Sequence, residues 1–260
     1  MTSRWLWYLP RSHRISKIGT LVLLPHSGSS AQGYGYWSGV IPETVSVAAV
    51  QYPGRGSRFG EPAARDITDL ADELAHETAG LEPPVHVFGH SLGALVGFEL
   101  CWRLQQLGRP AAAFYPSAAA AADLHRPILT GPEALTDDRL LQTLRERGGM
   151  GDDVLNDPDL LEFALDICRA DMLLTETYRY GPADRRLDCP ITGFGGDRDP
   201  AVPTQLLHGW TRLGAAGSTV SVLPGGHFYL LHHLDTVATA ITGRMGVPPV
   251  RCTDTRRVPR

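Results

Sequence analysis

A serine bracketed by two glycines is the pattern in this sequence that points most directly to chemistry. The pentapeptide Gly89-His90-Ser91-Leu92-Gly93 directly follows a strand-like apolar run and directly precedes a helix-like stretch. On such a tight strand-to-helix turn the serine hydroxyl stands clear of the sheet, and glycines are needed where a side chain would clash. The N–H of Leu92 would open the helix where an oxyanion could form. The pattern therefore predicts a nucleophilic Ser91, against the alternative of an ordinary glycine-rich turn.

A serine hydroxyl is a weak nucleophile at neutral pH, so a base and an orienting acid must follow it in the chain. His227 is the candidate base because it follows a strand-like run and a loop of small residues, Pro224-Gly225-Gly226. The preceding strand-like run ends in a loop with two competing carboxylates, Asp197 and Asp199. We favour Asp199, because the residues before it carry the chain past the strand end and Pro200 fixes the backbone after it. Asp197 would then be a turn residue.

A second donor to an oxyanion should come from the loop after an early strand. The segment at 24–30 is such a loop, and its glycine and serines suit close approach of the backbone. We assign the donor to the backbone N–H of Ser27. His26 precedes the serine in the chain and is interpreted as structural.

The elements that would position these residues alternate between short apolar runs and longer amphipathic stretches. This alternation predicts an α/β protein with a mostly parallel central sheet flanked by crossover helices. With the chain order Ser, Asp, His, the fold class is the α/β-hydrolase fold. The predicted strands are Thr20–Leu24, Val45–Gln51, Val85–Phe88, Ala111–Tyr115, Ile191–Phe194 and Thr219–Leu223, and two predicted helices are Asp66–Ala79 and Leu92–Leu107.

One stretch interrupts the alternation: 136–180 holds two helical patterns joined by Gly148-Gly149-Met150-Gly151 and no strand-like run. Thr136 can cap the first helix, and Asp157-Pro158 supplies a cap and a first-turn proline for the second. We predict a helical insertion at about 123–182, which is either a lid over the site or an extension of the core. Apolar residues spaced three or four apart on its second helix could line a passage to Ser91 or seal a core: Leu161, Leu165, Cys168 and Met172.

Bulk properties set further limits. The 260 residues fit one domain at 1–260, with a loose polar tail at 251–260. Apolar residues make up 43% of the chain, charged residues 20%, and the net charge of -4 offers no broad basic field for nucleic acid. Four scattered cysteines form no C-x-x-C pair and signal neither a metal site nor a disulfide framework. No segment reads as a signal peptide or a membrane span, so we expect a cytoplasmic protein.

With these residues in place, the chain resembles the type II thioesterases of polyketide and nonribosomal peptide assembly lines, nearly from end to end. The P-G-R element and the R-A-D helix are more specific to that family than G-x-S-x-G, which many esterases share. The matching elements are Trp5-Leu6, Pro25-His26-Ser27-Gly28, Tyr36-Trp37, Gln51-Tyr52-Pro53-Gly54-Arg55 with Arg58, Gly89 to Ala94, Arg169-Ala170-Asp171, Thr177-Tyr178-Arg179-Tyr180, Gly195 to Pro200 and Gly225-Gly226-His227-Phe228.

The resemblance implies hydrolysis of acyl groups from the phosphopantetheine arm of acyl or peptidyl carrier proteins, or from coenzyme A, by a monomer that needs no cofactor or metal. It implies that Ser91, Asp199 and His227 form a catalytic triad and that Ser27 and Leu92 donate to the oxyanion. It also implies that 136–180 gates the channel, which Leu161, Leu165, Met172 and Tyr178 would line. The chain departs from the family pattern at Ser27, Ser29 and 117–123, which bears on the shape of the acyl pocket.

Two further points stay open at this stage. Carrier proteins are transient, acidic partners, so Arg55, Arg58, Arg65 or Arg179 could help docking, although local pairing of these arginines is favoured.

The same triad would serve a carboxylesterase or lipase, or an acyltransferase or cyclase that uses an alcohol or amine in place of water. A binding protein of hydrolase fold without activity is disfavoured by the complete Ser, Asp and His set.

Overall fold

A single sheet of seven strands organises the part of the chain that the computed structural model describes, residues 3–11, 15–127, 135–148, 151–182 and 184–247. The strands lie in the order β1-β3-β2-β4-β5-β6-β7. Only β1 is antiparallel to its neighbour, so β2 to β7 all end at one edge of the sheet. Their bounds are β1 Leu6–Tyr8, β2 Thr20–Leu24, β3 Ser46–Val50, β4 Val85–His90, β5 Ala113–Ser117, β6 Thr192–Gly196 and β7 Thr219–Leu223.

The strand predictions are confirmed, with ends shifted by at most two residues. The short β1 was not predicted, because three residues carry too little periodicity to indicate a strand. Its pairing with β3, in which Leu6 lies opposite Val50, is what makes it one. Every residue of β2 and β5 is buried, as expected of strands covered on both faces.

Eight α-helices accompany the sheet in the described residues: α1 Ile67–Thr78, α2 Leu92–Gln106, α3 Asp137–Arg147, α4 Asp152–Leu155, α5 Pro158–Thr177, α6 Thr204–His208, α7 Trp210–Leu213 and α8 Leu230–Arg244. Alternate residues of β2 divide between two core clusters, so the clusters lie on opposite faces of the sheet. Helices α1 and α2 pack in the first cluster, and α8 packs in the second with a 3-10 helix at Gln32–Gly39.

The predicted helical insertion lies between β5 and β6 and comprises α3, α4 and α5. The Asp157 carboxylate caps α5 by accepting from the N–H groups of Asp159 and Leu160 at 3.1 Å, and Pro158 opens the helix, as predicted. The capping prediction for Thr136 is wrong in part: Thr136 is the N-cap residue of α3, but its side chain makes no capping hydrogen bond. The tail predicted at 251–260 lies outside the described residues. None of the described helices is both long and apolar enough to cross a membrane.

Candidate active site

Ser91 occupies a strained turn between β4 and α2. Its backbone has φ 54° and ψ -115°, a region that residues with a side chain seldom adopt. The Ser91 N–H donates to the Ser117 carbonyl at 2.8 Å, which ties the turn to the end of β5. A Cβ on Gly89 would lie 2.0 Å from the Gly93 carbonyl oxygen, and one on Gly93 would lie 2.1 Å from that of Leu24. Both glycines are therefore required sterically, as the sequence pattern predicts.

Three side chains from three loops meet at the carboxyl edge of the sheet. His227, after β7, places Nε2 3.1 Å from Oγ of Ser91. Its Nδ1 lies 2.7 Å from Oδ2 of Asp199, in the loop after β6. The other Asp199 oxygen accepts the Ala201 N–H at 2.9 Å, and both His227 and Asp199 are buried. The structure thus brings together the nucleophile, base and acid that the sequence predicts.

Asp197, the competing carboxylate, makes hydrogen bonds between two loops. Its Oδ1 accepts the Gly225 N–H at 2.7 Å, and its own N–H donates to the Leu223 carbonyl at 2.9 Å. These bonds join the loop after β6 to the loop after β7, and 47% of the Asp197 side chain stays exposed. Because Asp199 is the carboxylate that contacts His227, the geometry favours Asp199 as the acid and Asp197 as a turn residue.

A cavity of about 410 Å³ opens next to Ser91. Ser27 and Leu92 both line it. Leu92 is the first residue of α2. Its N–H therefore belongs to the first helical turn, whose N–H groups have no carbonyl acceptor within the helix. The wall is mostly apolar, and its lining residues include Leu95, Ala118, Ala119, Ala120, Leu124, Met172, Thr175, Ala201, Val202 and Leu206. This arrangement places a nucleophile and two candidate N–H donors at the wall of an apolar cavity. Such a site suits the transfer of a hydrophobic acyl group.

Residues 19–245 match the thioesterase domain family. This chain belongs to that family. It is 36% identical over 225 residues to a "Probable cadicidin biosynthesis thioesterase" of Streptomyces griseus, covering 85% of this chain and 61% of that protein. It is 33% identical over 241 residues to the thioesterase PikA5 of Streptomyces venezuelae, covering 89% of this chain and 84% of PikA5.

The fold agrees with that assignment. The type II thioesterase BorB from the borrelidin biosynthetic cluster superposes with a TM-score of 0.84 at 34% identity, over 94% of this thioesterase and 99% of BorB. The predicted α/β-hydrolase fold and the predicted enzyme class, a thioester hydrolase, are confirmed. So is the resemblance to type II thioesterases.

The four residues predicted to line a substrate channel fall in three places. Met172 lines the cavity of the thioesterase. Met172 also packs with Leu165 and Leu140 of α3 in a cluster internal to the insertion, and Leu161 packs against that cluster. Tyr178 belongs to the main core, where its hydroxyl donates to Oε1 of Glu99 at 2.7 Å. Leu161, Leu165 and Tyr178 do not line this cavity, and their place in a substrate channel stays a prediction. An apolar stripe on α5 has the same spacing whether it faces α3, the sheet or the cavity.

Several cavity residues were missed by sequence reasoning. Thr175 lies one helical turn beyond Met172, so helical spacing could have found it. Arg147, at the end of α3, and Glu176 also line the cavity, and no sequence pattern distinguishes them from solvated charges. Burial lowers the pKa of the Arg147 guanidinium, and the nearby charges of Asp199 and Glu176 oppose that shift.

Two further histidines lie near His227, and burial lowers the pKa of each. His90 packs edge-on to the His227 ring, with ring centroids 5.5 Å apart, and places Nδ1 2.8 Å from Oγ of Ser117. His26 lies 3.0 Å from the Tyr34 hydroxyl through Nδ1. Burial, and then the nearby His227, lowers the pKa of His26 to about 3 and holds the pKa of His90 well below its usual 6.5. His26 is thus a supporting residue, as its position before the serine suggests.

Proposed function

We propose that this thioesterase hydrolyses acyl groups from the phosphopantetheine arm of acyl or peptidyl carrier proteins in polyketide or nonribosomal peptide biosynthesis. The proposal rests on one observation: Ser91, His227 and Asp199 are linked by hydrogen bonds, and Ser91 and His227 line an apolar cavity. Similar structures support the pathway: BorB comes from the borrelidin biosynthetic cluster, and YbtT is a type II thioesterase from the yersiniabactin pathway.

In the proposed acylation step, Oγ of Ser91 attacks the thioester carbonyl carbon while Nε2 of His227 accepts the hydroxyl proton. The Asp199 carboxylate holds the imidazole in the required tautomer and stabilises the imidazolium that forms. The carbonyl oxygen becomes an oxyanion, which the N–H groups of Ser27 and Leu92 stabilise. When the carbon–sulfur bond breaks, His227 returns the proton to the leaving thiolate, which frees the phosphopantetheine thiol.

Deacylation repeats these roles with water as the nucleophile. His227 takes a proton from water, the hydroxide attacks the Ser91 ester, and the proton then goes to Oγ of Ser91 as the free acid leaves. Protein groups and water make every proton transfer in this scheme, so we propose that no cofactor or metal takes part. The acyl chain would occupy the apolar part of the cavity, whose volume falls in the range of small-molecule sites.

The transient carrier partner, a monomeric enzyme and a cytoplasmic location remain part of the proposal. Among the four arginines considered for docking, Arg55 and Arg58 are buried and paired with Asp171 and Glu61. The exposed Arg65 and Arg179 are therefore the better candidates to meet an acidic carrier protein.

The competing function is hydrolysis of oxygen esters, since the triad would serve either reaction. The test compares kcat/KM for one acyl group presented as a carrier-protein thioester, as the coenzyme A thioester and as the ethyl ester. We expect the carrier thioester to exceed the ethyl ester by at least about 100-fold, a difference of about 2.7 kcal/mol in transition-state stabilisation.

The Ser91→Ala variant is the control for both substrates. It should lose turnover and labelling by a fluorophosphonate probe while it keeps the wild-type Tm and its binding of the acyl-carrier protein, because it removes only the nucleophile. A preference for the ethyl ester would assign the enzyme to the carboxylesterases instead. Labelling of Ser91→Ala at the wild-type rate would remove Ser91 from the mechanism.

A further inference from the structure

The loop at 25–31, which carries Ser27, is held by side chains from two separate elements. From the segment after β3, the Tyr52 hydroxyl donates to the Pro25 carbonyl at 3.3 Å, and Oε1 of Gln51 accepts the Ala31 N–H at 3.2 Å. From helix α5, Oδ2 of Asp171 accepts the Gly28 N–H at 2.8 Å. The loop therefore takes its shape from groups distant in sequence as well as from its own residues.

Asp171 is the junction between these two elements. Arg55, from the segment after β3, donates to both Asp171 oxygens, with Nη2 2.5 Å from Oδ1 and Nη1 bonded to Oδ2. The Arg55 Nη1 also reaches the Ser29 carbonyl at 3.4 Å. Only 1% of Asp171 and 3% of Arg55 is exposed. A buried pair of this kind is a poor source of net stability, because desolvation of both charges offsets much of their attraction. The alternative is that the Arg55–Asp171 pair fixes the geometry of the loop at 25–31.

The loop also rests directly on α5. Gly28 has φ +83°, and a Cβ built on it would lie 2.6 Å from Sγ of Cys168, one turn before Asp171 on the same helix. A side chain at 28 would push the loop away from α5. Three constraints therefore act on Gly28: its φ is positive, its backbone lies close to α5, and its N–H donates to a buried carboxylate.

We propose that Asp171, held by Arg55, is a positioning residue that sets the Ser27 N–H in the oxyanion hole. The inference rests on the proposed function. The hydrogen bond from the Gly28 N–H to Asp171 fixes the peptide plane that follows Ser27, so only the two backbone torsions of Ser27 separate this fixed plane from the Ser27 N–H. Because Asp171 lies on α5, the same contact links the helical insertion that covers the cavity to the group that stabilises the oxyanion.

A second buried ion pair supplies a matched control. Glu99 accepts from both guanidinium nitrogens of Arg185 at 2.8 and 2.9 Å, and none of Glu99 is exposed. Neither residue lines the cavity beside Ser91. Asp171→Asn and Glu99→Gln each remove one buried carboxylate charge and leave a buried arginine without its counter-ion, so both should lower the Tm.

The two variants should differ in catalysis. Asp171→Asn should lower kcat by about 10- to 100-fold with KM within about twofold, because a misplaced oxyanion donor acts on the transition state. Glu99→Gln should leave kcat within about threefold of wild type. The decisive readout is affinity for butylboronic acid, which forms a tetrahedral adduct with the serine. Asp171→Asn should weaken that affinity by the same factor as kcat/KM, while affinity for a non-hydrolysable butyl thioether of N-acetylcysteamine stays unchanged.

An Arg55→Lys variant covers the case in which Asp171→Asn does not fold. It keeps a positive charge beside Asp171 but loses the two-pronged geometry, and it should weaken boronate affinity and kcat together. If wild type hydrolyses the thioester but the Asp171 and Arg55 variants lose no more boronate affinity than Glu99→Gln, the positioning role is wrong and the proposed function stands. If wild type neither hydrolyses the thioester nor binds the boronate, the proposed function itself fails.

Discussion

At the scale of single residues, two carboxylates two positions apart perform different tasks. Asp199 contacts Nδ1 of His227, whereas Asp197 accepts the Gly225 N–H at the half-exposed surface. We expect Asp199→Asn to lower kcat by about 10³- to 10⁴-fold, because the amide favours the wrong histidine tautomer and cannot stabilise the imidazolium. Asp197→Asn should cost less than about threefold, because its amide oxygen can still accept from Gly225.

Steady-state kinetics on one thioester at one pH, with the Tm of each variant, tests this difference. Equal losses of kcat in the two variants, or a larger loss in Asp197→Asn, would transfer the acid role to Asp197.

At the scale of elements, helix α5 serves the cavity with only part of its apolar face. Met172 and Leu165, seven residues apart, both pack in the cluster shared with α3, but only Met172 also lines the cavity. Met172→Trp should therefore fill cavity volume and lower kcat/KM for a decanoyl thioester at least about tenfold more than for a propionyl thioester. Leu165→Trp should instead lower the Tm, through about 1–3 kcal/mol of overpacking, and reduce activity on both substrates alike.

The measurement is the decanoyl-to-propionyl ratio of kcat/KM, with the melting temperature recorded for each variant. An unchanged ratio in Met172→Trp would separate the acyl chain from this cavity, and a changed ratio in Leu165→Trp alone would return the channel to the face of α5 that packs on α3.

At the scale of the whole molecule, buried neutral histidines make stability depend on pH. Burial, and then the charge of Arg244, lowers the pKa of His86 to about 4, and His90 also stays neutral. In the unfolded chain both would titrate near 6.5. Between these values the unfolded state binds protons that the folded state does not, so the free energy of unfolding falls as the pH drops from about 6.5 toward 4.

Urea unfolding at pH 6.5 and 5.0 measures this fall. Linkage between a pKa of about 6.5 in the unfolded chain and about 4 in the folded protein gives about 1.6 kcal/mol for His86 over that interval, so His86→Gln should show a fall smaller than that of wild type by about this amount. Glutamine retains a partner for the Tyr115 hydroxyl, which lies 2.9 Å from Nδ1 of His86 in the wild type. A fall of wild-type size in the variant would show that folding does not lower the pKa of His86.

Local sequence patterns were sufficient to predict the features of this protein that depend on residues close together in the chain. Buried strands need continuous apolar runs, and the turn at Ser91 needs glycines at 89 and 93 because the backbone passes within contact distance there. The parallel order of strands brings their carboxyl ends to one edge, so loops after β4, β6 and β7 had to meet. These local rules placed Ser91 and His227 and reduced the candidates for the acid to Asp197 and the favoured Asp199.

Contacts between distant segments were decided only by the tertiary structure. The helical spacing of Leu161, Leu165 and Met172 is the same for a residue that seals a core and one that lines a cavity. All three pack in the cluster shared with α3, and only the position of the cavity distinguishes Met172. The pairing of Arg55 with Asp171 spans 116 positions, and neither residue type indicates its partner. A sequence pattern predicts that charged side chains lie at the surface, whereas the structure buries both and joins them as an ion pair.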